Sequence, residues 1–356
     1  MRVNDAFSLE QLSEYFATPD FKRPFARYRE EMLNPEPCFT AAESERLINL
    51  SKLNSAKYSR YSVSKLLIDL SWASSHLEGN TYTQLDTQAL IEYGKKNDDK
   101  PSEDAAMILN HKRAIEFMVS SPAVTEENIK KIHAYLADNR VTPESRHFLE
   151  PKKCGVARTF TENGLFIDGT SYLPPQAEDR SPGFVNNEFF RLINSANALN
   201  DPINKSFFLM TRIPYLQVFY DANKRTSRVS CNIPLIESGL SPISFVDFDK
   251  SQYLKGLIVF YELGDERLAK DAFLDAYISS AFRYLPLVDD ARFALSADRE
   301  KHLSAAKRYV LDGVCDDDSI WLKKRNINPH DNGQKLDTPK NIPIIEDDDE
   351  DSFSPR

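Results

Sequence analysis

Apolar residues three and four apart recur along most of this chain, while glycine supplies only 11 of its 356 residues. Glycine costs a helix interior about 1 kcal/mol per position relative to alanine, so its scarcity among stripes of helical period leads to a mainly α-helical fold. The clearest stripe is Val63, Leu66, Leu67, Leu70 and Leu77, on one face of a helix expected over 59–78 and stopped by Gly79-Asn80. A second helix follows at once, with Thr83 and Asp86 at the spacing of a cap and its third residue and Gly94 as terminator. Ser102 is the expected cap of a helix through Met118 that ends near Ser120-Ser121-Pro122, and Thr125 opens another through Leu136. Helical spacing returns at 188–199, 207–215, 225–237 with Gly239 as stop, and 253–278, with Pro214 and Pro234 expected to bend two of these.

The stretch 155–175 breaks the pattern. Arg158-Thr159-Phe160 and Leu165-Phe166-Ile167 read as two short strands around Glu162-Asn163-Gly164, a small β-hairpin on the helical body. After about Gly313 the apolar spacing fades, and Glu346-Asp347-Asp348-Asp349-Glu350-Asp351 reads as a disordered acidic tail. No internal repeat stands out.

Composition narrows the function classes. With 41% hydrophobic residues the chain can bury a sizeable core in one large or two modest domains. A net charge of −9 argues against a nucleic-acid partner. Cys38, Cys154, Cys231 and Cys315 are scattered, with neither a disulfide framework nor zinc-ligand spacing, and a reduced, cytoplasmic setting fits best. No apolar run has the length of a signal peptide core or a membrane span, so neither export by such a signal nor a membrane is expected.

The chemistry concentrates in Gln217-Val218-Phe219-Tyr220-Asp221-Ala222-Asn223-Lys224-Arg225-Thr226-Ser227-Arg228. A helix starting near Arg225 would aim its free amides outward, a natural anion site. Small Ala222 admits a ligand to the backbone, Asn223 can bond an oxyanion, and Lys224, Arg225 and Arg228 supply positive charge. Asp221 could hold magnesium, which takes one or two carboxylates beside phosphate oxygens. From spacing alone, an aspartate-capped helix with solvated basic residues serves equally well.

The segment resembles the motif HxFx[DE]GNGRxxR of the Fic (Fido) family, with Phe219, Asp221, Asn223, Arg225 and Arg228 in register and an Asp-Ala-Asn-Lys-Arg centre similar to the Doc branch. The resemblance implies an all-α Fido core in which Asp221 holds Mg2+, Asn223 and the amides around Ala222 and Lys224 form the anion hole, and Arg225 grips the phosphates of ATP. It implies AMP transfer to a hydroxyl of a target protein. Gln217 stands where the family has its catalytic histidine, and an amide cannot accept a proton near neutral pH. Turnover is therefore expected to be impaired or reassigned. A non-catalytic nucleotide- or partner-binding module and a Doc-like phosphotransferase stay open as alternatives. His76, His111, His133, His147, His302 and His330 lie outside the motif and read as surface or satisfied core residues, with His76 the nearest to a substitute base.

Two more segments carry the resemblance. Ser74-Ser75-His76-Leu77-Glu78-Gly79 resembles the family's inhibitory motif [ST]xxxE[GN], which implies that Glu78 pairs with Arg228 and excludes the phosphate, with Ser74 and Gly79 as its other fixed positions. Gly155 to Arg158 with Ile167 to Pro175 is similar to the family's flap, in which Ile167, Thr170 and Tyr172 would engage a target segment. The organisation expected is an N-terminal helical region (1–58), the inhibitory helix and its successor (59–100), the Fido core (101–285) with flap (155–175) and phosphate loop (217–228), a helical extension (286–313) and the tail (314–356). A homodimer is compatible with this reading, and the sequence does not decide it.

Overall fold

Side chains that satisfy the first free amides of a helix set six of the helix starts. The structure, a computed structural model, describes residues 8–52, 56–159, 165–176, 181–284 and 298–315. Its helices are α1 (Leu9–Ala17), α2 (Ala41–Ser51), α3 (Ala56–Leu77), α4 (Gln84–Tyr93), α5 (Ser102–Ser120), α6 (Glu126–Ala137), α7 (Phe184–Ala198), α8 (Pro202–Leu216), α9 (Asn223–Ser230), α10 (Ile233–Glu237), α11 (Lys250–Leu263), α12 (Arg267–Tyr284) and α13 (Arg299–Asp312). Capping boxes at Ser8, Thr40 and Thr83 start α1, α2 and α4, the last with Asp86 as its third residue, and Gly94 ends α4 in the left-handed conformation. Thr125 caps α6 and Asp201 caps α8. Ser102 is itself helical, and the cap position of α5 falls to Pro101.

The centre is α8. From Ile203 to Leu216 all but Lys205 are buried, and each fully buried Leu, Ile, Phe or Met contributes about 1.5–3 kcal/mol. Around it pack α2, α7, α9, α10, α11 and α12, while α3, α5 and α6 form a neighbouring layer that reaches α9. One core runs from Tyr28 to Val310. Among the described residues no helix is long and apolar enough to cross a membrane.

Three expected elements came out differently. The helix over 225–237 is two, α9 and α10, broken at Cys231-Asn232. Pro234 has no N–H to continue the ladder, and Asn232 stabilises the break by accepting the Ile243 N–H while its amide donates to Arg228 and Ile243 carbonyls. The helix over 253–278 is also two, because Gly264 adopts φ +75° and ends α11. Pro214, by contrast, is accommodated inside α8.

The hairpin over 155–175 is the third. Its turn, 162–164, lies outside the described residues, and neither 156–159 nor 165–167 forms a strand. The arms are bonded elsewhere, with Leu165 of the second exchanging hydrogen bonds with the Gln176 side chain. Arg158 donates its amide to the Val218 carbonyl at 2.8 Å. Further on, β2 (Tyr172–Leu173) pairs in parallel with β1 (Ala26–Arg27), in register Ala26 with Tyr172. The acidic run at 346–351 lies outside the described residues.

Candidate functional site

The connection between α8 and α9 is a six-residue loop held between two left-handed residues, Gln217 at φ 51° and Ala222 at φ 57°. For a residue with a Cβ that conformation costs roughly 1–2 kcal/mol, so neighbouring groups must hold it. Asn223 does much of this. Its Oδ1 accepts the Phe219 amide at 2.9 Å, and its Nδ2 donates to the Phe219 carbonyl at 2.9 Å and to Gln217 Oε1 at 3.0 Å. Both amide protons expected to meet an oxyanion are thus spent within the loop. Gln217 in turn donates from Nε2 to the Pro214 carbonyl at 2.7 Å. Arg158, buried in the stem of the flap, donates from Nε to the Gln217 carbonyl at 2.6 Å and from a terminal nitrogen to the Pro175 carbonyl. Burial lowers its guanidinium to about 10.

The two arginines of α9 stand almost one turn apart and are 3% and 1% exposed. Arg225 donates to the His147 carbonyl at 2.8 Å and meets Asp221 Oδ2 at 3.3 Å, while its buried Nε has no partner. Arg228 donates to Glu78 Oε1 at 2.6 Å and, through Nε, to Ser74 Oγ at 2.9 Å. Ser74 and Glu78 share a face of α3 and its C-terminal turn by their four-residue separation, and Gly79 turns the chain away at φ 99°. Burial alone would raise the Glu78 carboxyl, but the charges of Arg228, Arg225 and Lys224 outweigh it and hold it down at about 2.

Two histidines read from the sequence only as surface or satisfied core residues sit at this site. His111 lies within hydrogen-bond reach of the Met107 carbonyl (Nδ1, 2.8 Å) and Ser74 Oγ (Nε2, 2.9 Å). A carbonyl can only accept, so Nδ1 carries the proton and Nε2 accepts from Ser74, leaving the serine oxygen to accept from Arg228. His133 stacks on Phe219, with centroids 3.8 Å apart and planes 11° apart. It receives the Gly155 amide at Nδ1 (2.8 Å) and gives its Nε2 proton to the Asp221 carbonyl (3.2 Å). Burial is the main reason both rings are held down at about 3 and stay neutral. The available signal was a histidine among Ile129, Ile132 and Leu136, a face otherwise apolar and buried. His76 is exposed and stacks on Trp72, away from the loop.

A pocket of about 260 Å³ opens over the loop, lined by Gln217, Asp221, Asn223, Arg225, Glu78 and Ile167 among others, with Ala222 and Lys224 at its floor. Of the three flap residues, only Ile167 faces it. Thr170 donates to Glu262 Oε1 at 2.6 Å, and Tyr172 is buried, stacked on Tyr215 and bonded to its carbonyl. Nucleotide-sized ligands take pockets of about 300–1,000 Å³, so with Glu78 in place the space falls short. The donor set itself fits a magnesium nucleotide: one half-exposed carboxylate, Asp221, beside a buried arginine with an unpartnered Nε.

Residues 123–235 match the Fic/DOC family. Curated relatives include the protein adenylyltransferase Fic of Drosophila persimilis, 24% identical over 182 residues that make up 50% of this chain and 33% of that protein. That of Drosophila melanogaster is equally 24% identical over 182 residues, 50% of this chain and 34% of the relative. The matched part spans about a third of the curated relatives' length. Among solved structures, a segment of Fic-1 from C. elegans superposes with a TM-score of 0.53 at 19% identity, covering 71% of this chain and 70% of that one. A Fic family protein from Desulfovibrio desulfuricans gives 0.51 at 16% identity, over 83% and 86% of the two chains. At such identities the likeness is one of fold.

Proposed function

This chain belongs to the Fic/DOC family, and on that premise we propose that it binds magnesium-ATP at the α8–α9 loop and transfers AMP, slowly, to a hydroxyl of a target protein. The observation that carries the reading is the 2.6 Å ion pair between Glu78 and the buried Arg228, whose carboxylate partner lines the pocket over the loop. A carboxylate there takes the charge a terminal phosphate would take, so the described state is the inhibited one and Glu78 is its gate. With the gate open, Arg225 and Lys224 would attract the phosphates and Asp221 would hold a magnesium ion, whose charge would offset theirs. Transfer through a loose transition state depends mainly on positioning and electrostatics, so some turnover survives without a base. The missing base lowers it by about 10²–10⁴-fold.

A second reading, a nucleotide-binding module without turnover, is favoured by the engagement of Gln217, whose amide is bonded at both ends to Pro214 and Asn223. Such a residue braces the loop and is not poised over an incoming hydroxyl. Incubating the Glu78→Gly chain with candidate protein acceptors and ATP labelled at the alpha or the gamma phosphate separates these outcomes. Label from the alpha position supports AMP transfer, and label from the gamma position supports a Doc-like phosphotransfer. If neither label transfers while ATP raises the melting temperature, the binding module stands, and an absent thermal response would sink both readings.

A further inference from the structure

We propose that His133 is a positioning residue for the magnesium-holding carboxylate of Asp221, acting through the peptide that joins Asp221 to Ala222. The inference rests on the magnesium-nucleotide reading above and adds to it a residue that does not line the pocket.

The geometry determines the ring's role. The Gly155 amide can only donate, so Nδ1, 2.8 Å away, is a bare acceptor. Nε2 therefore carries the proton, and the Asp221 carbonyl at 3.2 Å can only accept it. The ring plane is set by the stack on Phe219 at 3.8 Å, and the residue has no exposed surface. Three constraints on a ring with two rotatable bonds leave it one orientation.

What that orientation holds is the least supported part of the loop. The Asp221 side chain is 50% exposed and touches Arg225 only at 3.3 Å. The Asp221 carbonyl belongs to the peptide whose orientation sets φ of Ala222, the left-handed residue from which α9 starts. Holding that oxygen fixes where the carboxylate one bond back along the chain can point. The other end of the imidazole ties the same peptide to the stem of the flap. There Gly155 is at φ +73°, and a Cβ would lie 2.8 Å from the Lys130 carbonyl, so only glycine brings its amide this close.

Losing an outer partner of a metal ligand typically lowers metal affinity about 10–100-fold. The test uses the full chain with Glu78→Gly, so that the ion pair does not mask binding. ATP affinity is measured calorimetrically with magnesium and with a chelator, and the ratio of the two is the readout. His133→Asn keeps an acceptor near the Nδ1 position and removes the donor to Asp221, while His133→Gln keeps a donor near Nε2 and removes the acceptor. The expected result is a ratio about 10–100-fold smaller in His133→Asn, with chelated-ATP affinity unchanged, and a ratio retained in His133→Gln. Equal losses in both variants, or none in His133→Asn, overturn the inference.

A parent that binds ATP with no magnesium dependence overturns it alone, whereas a parent that binds no ATP overturns the functional reading and this one with it. If the asparagine variant does not fold, the imidazole nitrogen resonances of the unsubstituted ring decide. A protonated, slowly exchanging Nε2 that shifts when magnesium and ADP are added is expected, and an Nδ1–H tautomer or an unmoved Nε2 overturns the proposal.

Discussion

The two ends of the α8–α9 loop are closed by different physics. At the Gln217 end the closure is a set of neutral hydrogen bonds: Asn223 to Gln217 and Phe219, Gln217 to Pro214, and Arg158 to the Gln217 carbonyl, the one contribution there from a charged group. At the Arg228 end it is a carboxylate on a buried guanidinium. The first closure needs several groups at once, and removing any one leaves the rest. The second depends on a single charged side chain, Glu78, which is 23% exposed and belongs to another element, with only the neutral Ser74 bonding the same arginine beside it. A loop built this way has a braced end and a gated end.

The largest test of this contrast replaces the brace. Gln217→His in a Glu78→Gly background should raise AMP transfer by about 10²–10⁴-fold, read as label moving from the alpha phosphate of ATP to protein. An unchanged rate would show that the position is a brace whichever residue fills it.

Next comes the gate. Glu78→Gln leaves Arg228 buried without its counter-charge, and breaking such a pair costs about 3–5 kcal/mol, with the low end expected because Glu78 is partly exposed. Chemical denaturation without nucleotide measures it. The pH dependence carries a sign. The folded-state carboxyl is held at about 2, below its ordinary 4.5, so its stabilisation is complete above about 4.5 and fades as pH falls from 4.5 towards 2. The stability difference between the parent and Glu78→Gln should therefore be flat at neutral pH and shrink through that acid window. A difference that grew on acidification would refute the gate.

The smallest effect belongs to the braced end. Asn223→Ala orphans the buried amide and carbonyl of Phe219 and should cost about 1–3 kcal/mol. Because Asn223 does not titrate, that loss should be the same through the acid window where the Glu78 effect fades. A loss that tracked pH would couple the two ends.

How much of this was legible follows from how local each feature is. Caps at Thr83 and Thr125 and the stop at Gly94 depend on residues within one turn, and each was readable from spacing. Gly264 was overlooked although its signal was equally local, because the apolar spacing runs on through it. The hairpin misled for the opposite reason. Two short extended arms read as partners of each other, yet Arg158 of the first bonds the loop at Val218, Leu165 of the second bonds the Gln176 side chain, and the strand that does form, Tyr172–Leu173, pairs with Ala26–Arg27; no local pattern chooses a strand's partner.

At the site, chemistry by type was visible in the order Gln217 to Arg228, a segment that lies within the family match at 123–235. Alternation and period say which face of a helix is buried, but not what a buried polar group bonds. So His111 and His133 could be read only as surface or satisfied core residues, and their burial and bonds came from the structure.

Alone, the sequence determined the helical character, the caps at Thr83 and Thr125, and the residue types of the loop, with an amide where a base would be needed. Those properties belong to single side chains and their near neighbours. The family resemblance had already implied the Glu78–Arg228 pair that closes across 150 residues, but only the tertiary structure decided that Tyr172 is core while Ile167 faces the pocket and that His133 holds the peptide after Asp221. Each is a contact between elements whose approach depends on how α3, α6 and α9 pack, and packing is a property of the whole chain.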